Sequence, residues 1–276
     1  MQTVLLTGAE GFIGKNLRSR LERREDIHLL CIDVGNTKEE LFAAAWEADF
    51  VIHLAGVNRP KDVTEFEICN SGFTKELVDL LSSREENVPL LISSSTQAAL
   101  DNPYGRSKLG AEETIREYAE AKGGSVFIFR LPNVFGKWCR PNYNSVVATW
   151  CYNTTHGFPM QINDPAVELH LVYVDDVVEA FLAALAGKVK PDDDGFCHVN
   201  PVYKKSLVQI AGLLDSFVAS RKTLVMPSLE DSFTRSLYAT WLSYLPAGDF
   251  GYLLEMKRDD RGWLSEFIKS PFFGQV

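Results

Sequence analysis

The chain has 276 residues, a net charge of −9 and a pI of about 5.1, and it lacks a long lysine or arginine run, which argues against a nucleic-acid-binding protein. Its five cysteines and five histidines are dispersed, so we expect reduced thiols, a cytoplasmic protein and no metal site. No signal peptide opens the chain and no apolar run approaches the roughly 18 residues of a membrane span, so we expect no membrane association. The length suits one large domain or two small ones.

The first predicted element is a strand, Thr3–Thr7, that leads into the turn G-A-E-G-F-I-G and then into a helical pattern. This order of strand, glycine turn and helix is the context that a dinucleotide-binding fingerprint requires. Gly8 permits the tight turn, Gly11 lets the backbone approach a pyrophosphate, and Gly14 lets the helix pack close to the strand. The spacing is G-x-x-G-x-x-G, not the commoner G-x-G-x-x-G, so the glycines need support from the rest of the chain.

The second predicted strand, Ile27–Asp33, ends in an acid about 20 residues after the glycines. A carboxylate there accepts hydrogen bonds from an adenosine ribose and repels a 2′-phosphate, so Asp33 favours NAD over NADP. The alternative is that Asp33 is a turn residue beside Gly35 and Asn36.

A short helix, Thr37–Ala48, precedes a third predicted strand, Asp49–Leu54, which runs into Ala55 and Gly56. These small residues allow a cofactor to pass close to the backbone. We interpret His53 as a core residue with satisfied hydrogen bonds, not as a base.

The central motif lies between a fourth predicted strand, Val88–Ile92, and a helical pattern over Leu109–Lys122. Pro103 suits the first turn of that helix, which places Tyr104 and Lys108 at i and i+4 on one face. A lysine ammonium beside a phenol lowers the pKa of the tyrosine and makes it a usable proton donor or acceptor. A serine at the strand end could hydrogen-bond the same substrate oxygen. The alternative is a surface tyrosine and lysine on an ordinary helix.

Strands and helices alternate as far as residue 136, which predicts an α/β fold with a doubly wound parallel sheet. A long helix is predicted over Thr64–Arg84 and a fifth strand over Ser125–Leu131. Ligands bind at the carboxyl ends of the strands in such sheets. Five residues fall just past predicted strand ends, namely Gly8, Asp33, Ala55, Ser95 and Asn133. They predict one ligand-binding edge.

From Lys137 to Ser145 the pattern loosens into an aromatic and amide-rich segment. A sugar-nucleotide pocket needs flat faces for stacking and amides for hydroxyls, although a solvated loop has a similar composition. The later predicted elements are helices over Val146–Thr155 and Leu207–Val218, a packed apolar segment over Leu237–Leu245, and strands over Leu171–Asp176 and Phe196–Val199. Asp175 and Asp176 are interpreted as helix-capping residues, not as a catalytic pair.

Six motifs occur in the order typical of one family, namely Thr7–Gly14, His53–Gly56, Ser93–Ser95, Tyr104–Lys108, Arg130–Gly136 and Tyr173–Asp176. On these motifs the chain resembles the extended short-chain dehydrogenase/reductase family. The resemblance implies a Rossmann-type doubly wound parallel sheet with a smaller interleaved C-terminal substrate-binding subdomain, together spanning residues 1–253. The nucleotide-binding core would be about 1–136 plus 168–187. A homodimer through the Thr64–Arg84 and Tyr104–Lys122 helices is also implied.

The same resemblance assigns roles to residues. The implied catalytic trio is Ser95, Tyr104 and Lys108. The implied cofactor site comprises Gly8, Gly11, Phe12, Ile13, Gly14, Asp33, Leu54, Ala55, Gly56, Ser93, Tyr104, Lys108, Leu131 and Asn133. The implied substrate site comprises Arg59, Ser95, Thr96, Asn133, Lys137, Arg140, Asn142, Tyr143, Asn144 and Ser145. Many members hold the nucleotide diphosphate with an arginine before the Tyr173 strand, where this chain has Leu169 or His170. Arg59, Lys137 and Arg140 are the candidates for that role here.

Three further segments, Asp101–Gly105, Phe135–Ser145 and Leu242–Pro246, resemble the CapF family of capsule-synthesis enzymes. That resemblance implies NAD(P)H-dependent reduction of the C4 ketone of a UDP-linked 2-acetamido-2,6-dideoxy-hexulose, on the path to UDP-N-acetyl-L-fucosamine. It favours NADPH as the cofactor, whereas Asp33 favours NADH. Residues 254–276 resemble the start of a zinc-binding, cupin-like C-terminal domain, so we expect a truncated chain.

Three alternative functions are considered. A 4,6-dehydratase is disfavoured because its relatives carry an Asp-Glu pair after the Ser/Thr, where this chain has Thr96 and Gln97. A nucleotide-sugar C4 epimerase with tightly bound NAD would use the same trio without net redox change, and Asp33 supports it. A catalytically inactive dinucleotide-binding sensor would usually lack the Tyr104 and Lys108 pair.

Overall fold

The computed structural model describes residues 1–270, and the chain divides into two compact units. The first comprises Met1–Val134 and Val174–Val202, and the second comprises Phe135–Tyr173 and the described residues from Tyr203 onward. Residues 271–276 of the predicted cupin-like segment, 254–276, lie outside the described residues. The assignment of this segment stays a prediction. Within residues 1–270, no helix is both long and apolar enough to cross a membrane.

The elements follow one another in the alternating order that the sequence predicts for the first half of the chain. The strands are β1 (Gln2–Thr7), β2 (Ile27–Ile32), β3 (Phe50–His53), β4 (Leu90–Ser95), β5 (Val126–Leu131), β6 (Asn133–Phe135), β7 (Glu168–Tyr173), β8 (Tyr203–Ser206), β9 (Lys257–Asp259) and β10 (Gly262–Leu264). The helices are α1 (Phe12–Leu21), α2 (Lys38–Glu47), α3 (Thr64–Phe66), α4 (Phe73–Ser82), α5 (Pro103–Lys122), α6 (Val146–Thr155), α7 (Val174–Leu185), α8 (Leu207–Thr223) and α9 (Ser232–Leu242). A π-helical turn, Glu67–Gly72, joins α3 to α4.

The first unit is built on a five-stranded parallel sheet with the strand order β2-β1-β3-β4-β5. Thr7 at the end of β1 pairs with Ile32 and His53 at the ends of its two neighbours. Ser95 at the end of β4 pairs with Leu131 in the same way. The strand order reverses between β1 and β3, which is the point where open α/β sheets bind ligands. The predicted α/β fold with a doubly wound parallel sheet is confirmed.

The strands of the first unit have continuous apolar sequences because they are buried in its core. Val51, Leu90 and Ile128 from three neighbouring strands are fully buried, and Leu77 of α4 and Ile115 of α5 pack into the same cluster. Strands of a parallel sheet are covered by helices, so neither face can be polar. The tightly packed sheet fixes the positions of the loops at its carboxyl edge.

Local capping signals set the helix boundaries. The Thr37 side chain accepts a hydrogen bond from the Glu40 backbone, and Glu40 returns one to Thr37, so α2 begins with a capping box. Helix α5 has Pro103 in its first turn and ends at Gly123, which adopts a left-handed conformation. The predicted helix over Thr64–Arg84 is present, but it contains the π-helical turn, which the apolar spacing did not indicate.

Two predicted strands differ from the structure. Strand β7 ends at Tyr173, and the helix α7 begins at Val174, so Asp175 and Asp176 lie in the first helical turn. At Phe196–Val199 the structure has a single β-bridge, between Cys197 and Phe129, in place of a strand. A turn at Gly195 and the proline at position 201 leave too few residues to extend this pairing.

In the second unit, β6, β7 and β8 form a three-stranded sheet in that order, and β7 pairs with β8 in antiparallel orientation. Helices α6, α8 and α9 contribute to an aromatic core that includes Phe135, Trp150, Phe217, Phe233 and Trp241. The predicted apolar segment Leu237–Leu245 falls largely on α9 and supplies part of this core. The loop from Lys137 to Ser145 follows β6 and leads into α6.

Candidate functional site

The glycine turn after β1 is a compact backbone cradle. Gly8 has a φ of 71°, and a Cβ added there would lie 2.6 Å from the Ala55 nitrogen. A Cβ at Gly14 would lie 2.1 Å from the Gly8 oxygen, so α1 packs directly against the turn. Gly11 precedes the first residue of α1, and the first turn of that helix carries no acidic residue. Such a helix N-terminus favours an anion, and the arrangement fits the pyrophosphate of a dinucleotide.

Asp33 links the end of β2 to this cradle. Its carboxylate accepts a hydrogen bond from the Glu10 backbone N–H at 2.8 Å and another from the Val34 N–H at 2.8 Å. The nearby Arg18 is engaged by the carboxylates of Glu10 and Glu22. The edge beside the glycine turn is therefore acidic, which suits ribose hydroxyls better than a phosphate.

Asn70, which the sequence analysis did not single out, fixes the loop after β3. Its Oδ1 accepts a hydrogen bond from the Val57 N–H at 2.8 Å, and its Nδ2 donates to the Val57 oxygen at 3.0 Å and to the Ser107 hydroxyl at 2.9 Å. A Cβ at Gly56 would lie 2.7 Å from Asn70 Oδ1. Asn70 lies in the π-helical turn, a local feature that often marks functional positions. The sequence signal available for Asn70 was an asparagine inside an otherwise amphipathic helical pattern.

Ser95, Tyr104 and Lys108 lie together where β4 meets α5. The Ser95 hydroxyl accepts a hydrogen bond from the Gln97 N–H at 3.2 Å and also hydrogen-bonds the Tyr104 phenol. Lys108 is 8% exposed, and its Nζ donates to the Ser93 oxygen at 3.1 Å. The Tyr104 ring packs against Phe66 with the ring centroids 5.6 Å apart. The alternative of an exposed pair on an ordinary helix does not hold, because Lys108 is buried.

The electrostatics of this cluster differ from the prediction in one respect. Burial raises the pKa of the Tyr104 phenol above its ordinary value, and the hydrogen bond with Ser95 lowers it by a smaller amount. The expectation that the neighbouring Lys108 lowers the pKa of Tyr104 was therefore wrong for the free protein. Burial lowers the pKa of Lys108 to about 8, and the Glu112 carboxylate raises it. Removal from water is the dominant effect on both side chains.

His53 is a buried core residue, as predicted. Its Nδ1 lies 2.7 Å from the Thr7 hydroxyl and its Nε2 lies 2.9 Å from the Thr74 hydroxyl, so both ring nitrogens are hydrogen-bonded. Burial and the charge of Lys108 lower the pKa of His53 to about 3. His53 is therefore neutral near pH 7 and links β1, β3 and α4 beneath the site.

The other residues predicted for the cofactor and substrate also fall near strand ends of the first unit. Leu131 closes β5, Thr96 begins the 3₁₀ turn after β4, and Asn133 begins β6. Arg59 is exposed in the loop after β3. Phe12 and Ile13 form the first turn of α1, and Leu54 donates its N–H to the Thr7 oxygen at 3.1 Å.

The remaining predicted substrate residues belong to one loop of the second unit. The Arg140 guanidinium lies over the Tyr143 ring, 5.3 Å from its centroid. Asn142 has a φ of 54° and donates its N–H to the Thr149 hydroxyl at 2.9 Å. Ser145 caps α6 by accepting a hydrogen bond from the Ala148 N–H. Lys137 is half-buried and Asn144 is exposed in the same loop.

Among residues 1–270, groups of three or more histidine, cysteine, aspartate or glutamate side chains that could hold a metal ion are absent. The cysteines within those residues are free, and burial raises the pKa of the Cys139 thiol to about 11.

Comparison with known proteins gives three kinds of similarity. The sequence profile described as the NAD dependent epimerase/dehydratase family matches residues 4–195. A Pseudomonas aeruginosa protein named UDP-2-acetamido-2,6-beta-L-arabino-hexul-4-ose reductase is 44% identical over 276 residues, which cover 99% of this chain and 73% of that protein. The crystal structure of the capsular polysaccharide assembling protein CapF from Staphylococcus aureus superposes with a TM-score of 0.91 at 44% identity, covering 99% of this chain and 73% of that chain.

A more distantly similar structure shares the fold. UDP-glucuronic acid 4-epimerase from Bacillus cereus, solved in complex with UDP-glucuronic acid and NAD, superposes with a TM-score of 0.71 at 18% identity. The superposition covers 88% of this chain and 98% of that chain. At this identity the likeness concerns the fold.

Proposed function

Because the chain belongs to the NAD dependent epimerase/dehydratase family, we propose that it reduces the C4 ketone of a UDP-linked 2-acetamido-2,6-dideoxy-hexulose with a reduced nicotinamide cofactor. The observation that carries the proposal is 44% identity, over 99% of this chain, to a protein named as a reductase of such a ketosugar. Similarity to a protein named for capsular polysaccharide assembly supports a place in capsule or O-antigen nucleotide-sugar synthesis, toward UDP-N-acetyl-L-fucosamine. We further propose that the protein acts in the cytoplasm.

We assign the proton chemistry of this reduction to Tyr104, Ser95 and Lys108. A bound nicotinamide would supply the hydride that the ketone carbon accepts. Burial keeps the Tyr104 phenol protonated, which is the form required of a donor to the C4 oxygen. Once Tyr104 has lost its proton, the Ser95 hydroxyl and the Lys108 ammonium stabilise the phenolate. Lys108 is also a candidate to hold the nicotinamide ribose, because its ammonium is close to Gly56 in the loop after β3.

We assign the cofactor to the edge formed by Gly8, Gly11, Gly14 and Asp33, with NADH preferred over NADPH. The support for NADH is the carboxylate of Asp33, which is anchored to the glycine turn through the Glu10 N–H. A 2′-phosphate at this position would meet like charge, since Arg18 is already paired with two carboxylates. We assign the other cofactor residues of the sequence analysis to the same edge, because they lie at or near the ends of its strands.

We assign substrate contacts to Arg59, Thr96 and Asn133 of the first unit. Separately, we assign substrate contacts to the loop Lys137–Ser145 of the second unit. Arg140 and Tyr143 stack on each other, which holds a cation and an aromatic ring in fixed positions. Arg59, Lys137 and Arg140 are the candidate partners for the diphosphate.

The proposal is tested by supplying a UDP-4-keto-6-deoxy-N-acetylhexosamine with NADH and NADPH in parallel. We expect stoichiometric loss of the reduced nicotinamide absorbance and a product two mass units heavier, with the higher kcat/KM for NADH. Conversion of one UDP-sugar into its C4 epimer without net cofactor oxidation would instead establish the epimerase. Cofactor binding without any conversion would indicate the inactive sensor. A higher kcat/KM with NADPH would overturn the interpretation of Asp33 and leave the reductase standing.

We also propose a homodimer through α4 and α5. Ile68, in the π-helical turn, is 66% exposed, and Leu109 of α5 is 37% exposed, although both are large and apolar. Sedimentation velocity of the wild type should give the mass of two chains. The variant Ile68→Glu should shift this equilibrium toward the monomer, and a monomeric wild type would contradict the proposal.

A further inference from the structure

A buried carboxylate that the proposed proton chemistry does not use lies one turn after Lys108 on α5. Glu112 is 1% exposed. It accepts a hydrogen bond from the Ser94 hydroxyl, and its two oxygens accept from Arg130, at 2.9 Å from Nε and 2.6 Å from Nη2. A glutamate is almost never buried this completely unless it is paired. The Arg130 pair explains how the charge is tolerated, but not why it lies beside Lys108.

Neighbouring residues of β4 hold Glu112 and Lys108 in register. Lys108 donates to the Ser93 oxygen, and Ser94 donates to the Glu112 carboxylate. The i and i+4 spacing on α5 places both charged groups on one helical face. The ammonium loses hydration on burial, and the carboxylate one turn away offsets part of that cost.

The other titratable groups around Lys108 cannot provide this negative charge near pH 7. Tyr104, one turn earlier on α5, is kept protonated by burial. His53, from β3, is neutral. Arg130, from β5, is positive and cannot supply a negative charge. Within residues 1–270, Glu112 is thus the negative group that acts on Lys108.

Arg130 is itself fixed at the outer side of the carboxylate. Its guanidinium lies 4.0 Å from the centroid of the Phe196 ring, and Arg116 lies over the same ring at 4.8 Å. The Arg130 side chain is 25% exposed, whereas that of Glu112 is 1% exposed. With Lys108 at 8%, the Glu112 carboxylate is more deeply buried than either cation.

We propose that Glu112 is a positioning residue that keeps the Lys108 ammonium charged and seated on the Ser93 carbonyl, while Arg130 holds the Glu112 carboxylate in place through two hydrogen bonds. The proposal rests on the proposed function for its catalytic consequence, since a neutral Lys108 could no longer stabilise the Tyr104 phenolate. The effect of Glu112 on the protonation of Lys108 is a property of the free protein and can be measured without substrate.

The first test is the titration of Lys108 in the cofactor-free protein, followed by NMR of isotope-labelled lysine side chains and assigned with the variant Lys108→Met. In the wild type we expect a midpoint near 8. In Glu112→Gln, which keeps the shape but removes the charge, we expect a midpoint lower by about one pH unit, a tenfold change in the protonation equilibrium. In Glu112→Asp, which retains the negative charge, the Lys108 midpoint should stay close to that of the wild type.

Arg130→Lys is the matched control, because it breaks the bidentate geometry of the ion pair but leaves both charges. It should lower the melting temperature as much as Glu112→Gln does and leave the Lys108 midpoint unchanged. The pH profile of kcat/KM is the second readout. Its alkaline limb should move to lower pH in Glu112→Gln alone, so that this variant loses about fivefold near pH 8, approaches a tenfold loss at higher pH and recovers toward the wild-type rate near pH 6.

Equal midpoints in the wild type and Glu112→Gln would overturn the proposal, and so would the same downward shift in Arg130→Lys, because the effect would then be structural. If Glu112→Gln does not fold, the wild-type titration decides, and a Lys108 midpoint well below 7 would contradict the proposal. A protein without reductase activity but with the expected titrations would refute the proposed function and leave the Glu112 assignment intact.

Discussion

The two ends of the proposed ligand edge differ in composition, because one is formed mainly by backbone and the other by side chains. The glycine end, residues Gly8–Gly14 with Asp33, is a backbone surface whose one important side chain is half-buried and anchored by main-chain N–H groups. The charged end consists of side chains, of which Lys108 and Glu112 are buried and Ser95 and Tyr104 are half-buried. The difference teaches that binding a pyrophosphate needs little more than chain geometry, whereas moving a proton needs control of charge in a dry environment.

The largest expected effect tests the charged end. Tyr104→Phe removes the proposed proton donor without changing the packing of the ring against Phe66. We expect kcat to fall by about 10³-fold, within the range for loss of a general acid. Cofactor affinity, measured by fluorescence titration, should change by less than about threefold because the glycine end is untouched. Turnover at the wild-type rate would contradict the assignment of the trio.

The next effect tests the glycine end by geometry alone. In Gly14→Ala the new methyl group would lie 2.1 Å from the Gly8 oxygen, so α1 must move away from the turn. We expect cofactor affinity to fall by about 100-fold, the loss of two or three backbone hydrogen bonds to the pyrophosphate. Isothermal titration calorimetry measures this directly.

The matched control for that variant is Gly212→Ala in α8, where a Cβ meets no atom within 4 Å. It should leave cofactor affinity unchanged and raise stability by up to about 1 kcal/mol, the difference in helix propensity. Equal affinity in Gly14→Ala and the wild type would show that the turn does not bind the cofactor.

The two ends also differ in how far the sequence predicts them. The glycine turn, Asp33 and the capping box at Thr37 depend on residues close together in the chain, and the structure has each of them at the expected strand or helix end. The pKa of Tyr104 depends on burial, which is set by elements distant in sequence, and there the local i and i+4 argument gave the wrong direction. Glu112 was overlooked for the same reason, since a glutamate in a charged helical pattern is normally solvated.

Asn70 and the bridge at Cys197 show the same limit in the backbone. The π-helical turn positions Asn70 to bond the Val57 backbone, a contact across 13 residues that apolar periodicity does not report. The predicted strand Phe196–Val199 reduces to one bridge, since pairing depends on the length that the adjoining turn and proline leave. Patterns therefore predict which elements form, and tertiary contacts decide their local irregularities.

A smaller effect separates charge from geometry at the glycine end. Asp33→Asn keeps an acceptor for the Glu10 N–H but removes the negative charge. We expect the ratio of kcat/KM for NADPH to that for NADH to rise about tenfold, because like-charge repulsion of a 2′-phosphate is relieved. Glu25→Gln, at the opposite end of β2, makes the same change in net charge and should leave the ratio unchanged. Equal ratios in both variants would make Asp33 a turn residue only.

The smallest effect concerns stability, and it arises where the charged end meets the core. His53 has a pKa of about 3 in the folded protein and an ordinary value near 6.5 when unfolded. Because the unfolded chain binds the extra proton between these values, stability rises with pH across this window and is lost as pH falls below about 6.5. The expected slope from His53 is up to about 1.4 kcal/mol per pH unit. His53→Asn can still hydrogen-bond Thr7 and Thr74 but cannot titrate, so urea unfolding at pH 7 and pH 5.5 should show a smaller pH dependence in the variant. The same pH dependence in both proteins would mean that other groups account for the acid sensitivity and that His53 is hydrated or charged in the folded state.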